Sequence, residues 1–146
     1  MKKHLLSKIW LLLILLLPGC KEDEESIIPN VGFSVVLNLD DPRYSGKNIF
    51  ELYYVANYGY AGIKGIVVYQ YIRNSYLAFD LVCPNEGDRL VKTVREGESE
   101  TYVCPECQSK YHVNVEYGIV EGVSKWPLKM YKTSYDEATN RLRIWN

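Results

Sequence analysis

The chain has 146 residues, of which 17 are basic and 18 acidic, and its formal net charge is −1. No run or stripe of basic residues would bind a phosphate backbone, so we expect no nucleic-acid partner. The length suits one domain of ordinary size preceded by short segments.

The first 19 residues have the pattern of an export signal. Lysines among the first eight residues precede an unbroken apolar run at 9–17, which is too short to stay in a bilayer as a spanning helix. Gly19 then stands directly before Cys20. A small residue before a cysteine resembles the lipobox of bacterial lipoproteins, which implies a signal peptide at 1–19 and lipid on Cys20. The alternative is an ordinary signal peptide or an uncleaved anchor.

Residues 20–30 are predicted to be an acidic tether between lipid and domain. The stretch at 21–26 contains no apolar residue and cannot fold by itself. An acidic run behind the cysteine also resembles the surface-export signal of some Gram-negative lipoproteins. We therefore expect an outer membrane lipoprotein, anchored through Cys20, that is either periplasmic or exposed on the cell surface.

From Phe33 onward the pattern is that of short strands. Apolar and polar residues alternate from Phe33 to Leu39, with Val36 as the exception, which is typical of a strand with one buried face. No helical period extends beyond a turn or two, so residues 31–146 are predicted to form an all-β domain, an antiparallel β-sandwich or partly open barrel. With a turn at 57–62, aromatic and β-branched runs predict further strands at 50–56, 66–71, 76–82, 90–94, 101–103, 110–115, 118–120, 128–134 and 141–145.

The cysteines of this domain lie in two short segments. Setting aside Cys20 leaves Cys83, Cys104 and Cys107, an odd number that does not suit a simple disulfide framework. Each segment places a cysteine directly before a proline, just after a predicted strand. The C-x-x-C spacing of Cys104 and Cys107 lets two thiolates from one turn reach the same metal ion. If the two loops face each other, they would form a metal site.

These segments resemble the Rieske iron–sulfur family, in which one loop carries C-x-H and the other C-x-x-H-G-S-x-F. The resemblance covers residues 31–146. It implies a Rieske-like (iron–sulfur protein type) antiparallel fold with a two-loop cysteine subdomain, a [2Fe–2S] cluster and electron transfer. The residues that carry it are Cys83-Pro84-Asn85, then Cys104-Pro105-Glu106-Cys107-Gln108-Ser109-Lys110-Tyr111, the glycine-containing segment 118–122 and Trp126-Pro127-Leu128.

The chain departs from the family pattern at both histidine ligands. Asn85 stands at the first histidine position and Cys107 at the second, while His112 lies at neither. What the resemblance carries over is therefore Cys83 and Cys104 as ligands, with Cys107 as a chemically able substitute and Asn85 as a poor one. His112 follows a tyrosine in a predicted strand, and we expect it to be a hydrogen-bonded surface residue.

Three outcomes for the cysteine site follow. A [2Fe–2S] cluster could be held by three thiolates and a further group such as Asn85, Glu86 or His112. A single zinc ion could be held by the three thiolates and one further ligand. The site could also hold no metal, with two of the three cysteines paired as a disulfide, because export exposes thiols to oxidation.

The functional expectation follows from these outcomes. The leading interpretation is a membrane-anchored Rieske-like lipoprotein that exchanges electrons with a redox partner protein. No catalytic pattern supports an enzyme, and there is no G-x-S-x-G motif. The alternative is a metal-free or zinc-stabilised binding or structural module of the cell envelope, whose 13 tyrosines suit half-buried sheet faces or, less favoured, a glycan-binding surface. A third hypothesis is thiol–disulfide exchange through Cys104 and Cys107, although no βαβ pattern surrounds them.

Overall fold

The computed structural model describes residues 28–116 and 118–146. The predicted signal peptide, Cys20 and most of the predicted tether lie outside the described residues. Within those ranges no helix is long and apolar enough to cross a membrane. Ile28 is buried, and Lys129 Nζ donates to Pro29 O at 3.2 Å and to Asn30 Oδ1 at 2.7 Å. The last three residues of the predicted tether therefore contact the domain.

The largest layer is an antiparallel sheet of six strands that curls into a half-barrel. Its register pairs Val35 with Ile144 and Leu37 with Leu142, and all four side chains are buried. The alternation seen in the sequence thus places one apolar face of this sheet toward the core. In spatial order the strands are β1 (Ser34–Asn38), β12 (Arg141–Trp145), β11 (Met130–Asp136), β6 (Ser75–Asp80), β5 (Ile66–Ile72) and β2 (Ile49–Leu52).

Two smaller antiparallel sheets complete the fold. One is a hairpin formed by β3 (Tyr54–Val55) and β4 (Gly59–Tyr60). The other has four strands in the order β10 (Ile119–Glu121), β9 (Lys110–His112), β8 (Thr101–Val103) and β7 (Val94–Arg95). A single 3₁₀ turn at Pro84–Glu86 is the helical element of the described residues. The all-β prediction is confirmed.

Strands β5 and β6 separate two apolar cores. Ile66, Val68 and Ala78 pack into the first core, together with the buried residues of β1 and β12. Val67 and Phe79 pack on the opposite face, into a second core that also contains the side chains of the cysteine loops. Both faces are buried over Ile66–Val68 of β5 and Leu77–Phe79 of β6, and these two stretches are continuously apolar and do not alternate.

A buried carboxylate holds the chain that leads to the first cysteine. Asp80, at the end of β6, is fully buried. Its Oδ2 accepts hydrogen bonds from the backbone N–H of Ile63 at 2.7 Å and from the Tyr131 hydroxyl at 2.7 Å, and its Oδ1 accepts one from the N–H of Val82 at 2.8 Å. Three donors compensate the cost of burying the charge. The segment that precedes Cys83 is therefore fixed to the half-barrel.

A second polar contact joins the six-stranded sheet to the four-stranded sheet. The hydroxyl of Tyr102, in β8, donates to Glu51 Oε1 in β2 at 2.9 Å. Burial, followed by the nearby Glu51 carboxylate, raises the pKa of Tyr102, so the phenol stays protonated as a donor. Lys92 Nζ and the Tyr53 hydroxyl bind the other Glu51 oxygen. This network ties the sheet that carries Cys104 to the half-barrel.

Most predicted strands are found, and three predictions were wrong in detail. The predicted strand at 90–94 is reduced to β7 (Val94–Arg95), because Leu90 lies in a turn with φ of 51°. The predicted strand at 50–56 is divided into β2 and β3. After Leu52 the chain no longer pairs with β5, and the next residues form the β3–β4 hairpin. The Ala61 N–H then bonds Tyr53 O at 3.0 Å. The predicted turn at 57–62 accordingly contains β4. The last hairpin is confirmed, with Leu142 and Ile144 buried on one face of β12.

Candidate metal centre

Cys83 lies directly after the Asp80 anchor, at the start of a tight loop. Its backbone N–H donates to Val91 O at 2.8 Å, and its carbonyl accepts from the Glu86 N–H at 3.1 Å. The intervening 3₁₀ turn begins at Pro84, which has no N–H to leave unsatisfied. The Cys83 side chain is fully buried in the second core.

Cys104 and Cys107 lie in the turn that connects β8 to β9. Cys104 N–H donates to Ser109 O at 3.0 Å, and its carbonyl accepts from the Gln108 N–H at 3.0 Å. Gln108 has a left-handed backbone with φ of 60°, a conformation uncommon outside glycine. Its side-chain amide donates to Pro105 O at 2.7 Å, which holds the turn in this shape. The turn directs both cysteines inward, Cys104 fully buried and Cys107 partly buried.

The three sulfur atoms meet in one group. Cys83 Sγ lies 3.6 Å from Cys107 Sγ, and the Sγ atoms of Cys83, Cys104 and Cys107 all lie within 4.8 Å of one another. All three are free thiols. The two loops therefore face each other as the sequence predicts, and their cysteines form a group that can hold a metal ion.

Two hydroxyl groups contact the sulfurs. The Tyr111 hydroxyl lies 3.1 Å from Cys83 Sγ, and Ser109 Oγ lies 3.3 Å from Cys107 Sγ. Ser109 Oγ also accepts from the Ser124 backbone N–H at 3.0 Å, so its hydroxyl proton is free to turn toward a Cys107 thiolate. The sequence motif includes Ser109 and Tyr111 but did not predict these contacts.

The surroundings shift the pKa values of the Cys83 and Cys107 thiols in opposite directions. Burial raises the pKa of Cys83 to about 12, more than the Tyr111 hydroxyl lowers it. At Cys107 burial also acts to raise the pKa, but hydrogen bonds from Ser109 and the neighbouring thiols outweigh it and hold the pKa below its usual value. Without a cation Cys107 is thus the more acidic of these two thiols. A metal ion would supply the positive charge that further thiolates require.

An ion-pair network spans the two loops. Arg89, which follows the first loop, donates through Nη1 to Glu106 Oε2 at 2.6 Å, and Glu106 lies between the two cysteines of the second loop. The other terminal nitrogen of Arg89 pairs with Glu86 of the first loop. We call these three side chains the loop clasp. Sequence reasoning missed Arg89, because nothing in its spacing indicates which acids it meets.

Asn85 and His112, which the sequence also offered as ligands, make their contacts away from the sulfur group. Asn85 is exposed, and its amide donates to Glu86 Oε1 at 3.1 Å. His112 Nδ1 lies 3.1 Å from Thr101 Oγ1, and its Nε2 lies 3.0 Å from Glu121 Oε1. Both ring nitrogens of His112 are thus engaged away from the sulfurs, which confirms the prediction of a hydrogen-bonded surface histidine.

Comparison with known proteins adds no further assignment. Neither protein-family models, curated proteins nor solved structures gave a match to this chain. The site is therefore defined by its own chemistry, a group of three cysteines whose two inner members are buried.

Proposed function

We propose that the chain is an envelope lipoprotein domain that holds one tetrahedral metal ion, with zinc as the preferred ion, on Cys83, Cys104 and Cys107. The observation that carries this proposal is the compactness of the sulfur group. Zinc–sulfur bonds of about 2.3 Å in a tetrahedron place the sulfurs about 3.8 Å apart. Here one pair lies at 3.6 Å and every pair lies within 4.8 Å.

The three thiolates leave the fourth position of the tetrahedron to one further ligand. Among the described residues no histidine, aspartate, glutamate or further cysteine joins the sulfur group. Asn85 lies two residues after Cys83, but its exposed side chain already bonds Glu86. If Asn85 turned inward it would supply this fourth ligand, and Asn85→Ala tests for that.

A two-iron cluster is the second candidate, favoured by the arrangement of the cysteines in two opposed loops. As the Rieske resemblance implies, it would make the chain an electron carrier with a redox partner protein. A [2Fe–2S] cluster needs two protein ligands on each iron. Ligands on different irons are separated by the length of the cluster, which exceeds the edge of a single tetrahedron. Three sulfurs this close together therefore suit one ion better than a cluster.

In this proposal the metal has a structural role. Its ligands would come from the loop that follows β6 and from the β8–β9 turn, so one ion would cross-link the half-barrel to the four-stranded sheet. A ligand that binds only the folded state stabilises it by mass action. The domain would then be a rigid module of the cell envelope, held on the outer membrane through lipid on Cys20.

Metal analysis and a visible spectrum of protein purified with and without oxygen test the site. The proposal predicts a colourless protein with about one zinc per chain, and loss of that zinc in Cys83→Ser. His112→Ala is the matched control and should retain the metal, because neither of its ring nitrogens faces the sulfurs. A charge-transfer band in the visible that disappears in Cys83→Ser would refute zinc and support the cluster. A colourless protein free of metal would refute both.

The proposed lipid attachment at Cys20 is tested separately. Cells grown with a labelled fatty acid should label the wild-type chain and fail to label Cys20→Ala. Label that persists in the Cys20→Ala variant would refute lipid attachment at this cysteine without bearing on the metal site.

A further inference from the structure

We propose that Cys83 and Cys107 form a reversible disulfide across the two loops when an oxidant reaches the site, and that Cys104 is left as the free thiol. The effect on metal rests on the function proposed above, whereas the choice of cysteine pair rests on the geometry of the three sulfurs.

The first observation is the separation of the two sulfurs. Cys83 Sγ and Cys107 Sγ lie 3.6 Å apart without a bond between them. A disulfide is about 2.05 Å long, so the sulfurs must approach by about 1.5 Å. Cys107 is partly exposed, and a small rotation of its side chain can supply that movement. The fully buried Cys83 need not move.

The second observation is the difference in exposure. Cys104 and Cys83 are fully buried, so an oxidant from solvent meets Cys107 first. Cys83, in contact with that sulfur from the opposite loop, is then placed to resolve the mixed disulfide. The Cys83–Cys107 bond would join residues 24 positions apart in the sequence, and closing a longer loop constrains the unfolded chain more than a bond within C-x-x-C does.

The chemistry balances with a small-molecule disulfide as oxidant. The Cys107 thiolate attacks one sulfur of the oxidant, and the other leaves as a thiolate that takes up a proton. The sulfur of Cys83 then attacks Cys107 Sγ as its proton passes to the departing thiolate of the oxidant, so the protein disulfide forms and the second thiol of the oxidant is released. Two protein thiols are oxidised by two electrons in total, and one disulfide is reduced to two thiols. Because the same sulfurs serve as metal ligands, disulfide formation and metal binding exclude each other.

Peptide mapping of the full chain tests which pair forms. The protein, treated with glutathione disulfide, is alkylated to block its remaining thiols and digested with trypsin and a glutamate-specific protease. Cleavage after Glu106 places Cys104 and Cys107 on different peptides, so each linkage has its own mass. We expect a cross-linked pair containing Cys83 and Cys107, alkylated Cys104, and reversal by dithiothreitol. A Cys104–Cys107 or Cys83–Cys104 cross-link, or a stable glutathione adduct without a cross-link, would overturn the proposal.

Variants and metal release separate this inference from the proposed function. Cys104→Ser should retain the cross-link and Cys107→Ser should lose it, and oxidation of the wild type in urea should lose the preference for one pair. If zinc is bound, one ion should leave for each disulfide formed. A cross-link in protein that binds no metal supports the disulfide and refutes the metal proposal. Zinc binding without any cross-link supports the metal proposal and refutes the disulfide.

Discussion

Replacing the buried carboxylate of Asp80 tests the anchor on which the first cysteine loop depends. An asparagine there can keep one oxygen toward two of the three donors, Ile63 N–H and the Tyr131 hydroxyl, which now share Oδ2. Its amide NH₂ would then face the Val82 N–H, which now bonds Oδ1. Donor would meet donor in a fully buried site.

The magnitude follows from these contacts. Asp80→Asn loses one charge-assisted hydrogen bond and leaves buried donors unsatisfied, a cost of about 2 to 4 kcal/mol in the free energy of unfolding. Tyr131→Phe removes one donor and leaves the carboxylate with two, so we expect about 1 to 2 kcal/mol. The ring contact between Tyr131 and Phe33, at 4.7 Å, is kept in that variant, which makes it a matched control.

Urea denaturation followed by tryptophan fluorescence measures both variants and the double variant. Because the two residues share a hydrogen bond, the double variant should be less destabilised than the sum of the single variants. If Asp80→Asn is as stable as the wild type, the three buried donors do not depend on a carboxylate at this position and the reasoning fails. Additive effects of the two substitutions would contradict the direct hydrogen bond.

Three further predictions concern the site and its support. Arg89→Ala opens the loop clasp, so a chelator should remove the metal severalfold faster while the thermal midpoint scarcely changes; an unchanged rate would contradict the clasp. Because the pKa of Cys83 is raised to about 12, its thiol is protonated at neutral pH and zinc must displace that proton. Zinc affinity should therefore rise with pH, about tenfold per unit for each proton released, and calorimetry in buffers of different ionisation enthalpy measures the proton count. Gly122 has φ of 105°, and an added Cβ would lie 3.1 Å from Ser109 Cα, so Gly122→Ala should lower the free energy of unfolding by about 1 to 3 kcal/mol. Gly97 also has a positive φ, but no atom lies within 4 Å of an added Cβ. Gly97→Ala should therefore cost less in the same urea titration.

The sequence predicts the strands best where burial is one-sided. In β1 and β12 alternate residues face the first core, and this two-residue period is present in the sequence itself. The β5–β6 hairpin is predicted as well, because a strand buried on both faces leaves a short, continuously apolar run. The break between Leu52 and Tyr54 is missed, because it depends on where the chain leaves one sheet to form another hairpin.

The sequence alone determined which sulfur atoms are available to the candidate site. It contains the two cysteine–proline segments, the C-x-x-C spacing and the absence of histidine from both expected positions. Tertiary structure decided that Cys83 lies 3.6 Å from Cys107, that Arg89 joins the two loops, and that His112 is occupied elsewhere. The physical reason is that periodicity and turn chemistry act between near neighbours, whereas these distances depend on two cores packed on opposite faces of β5 and β6.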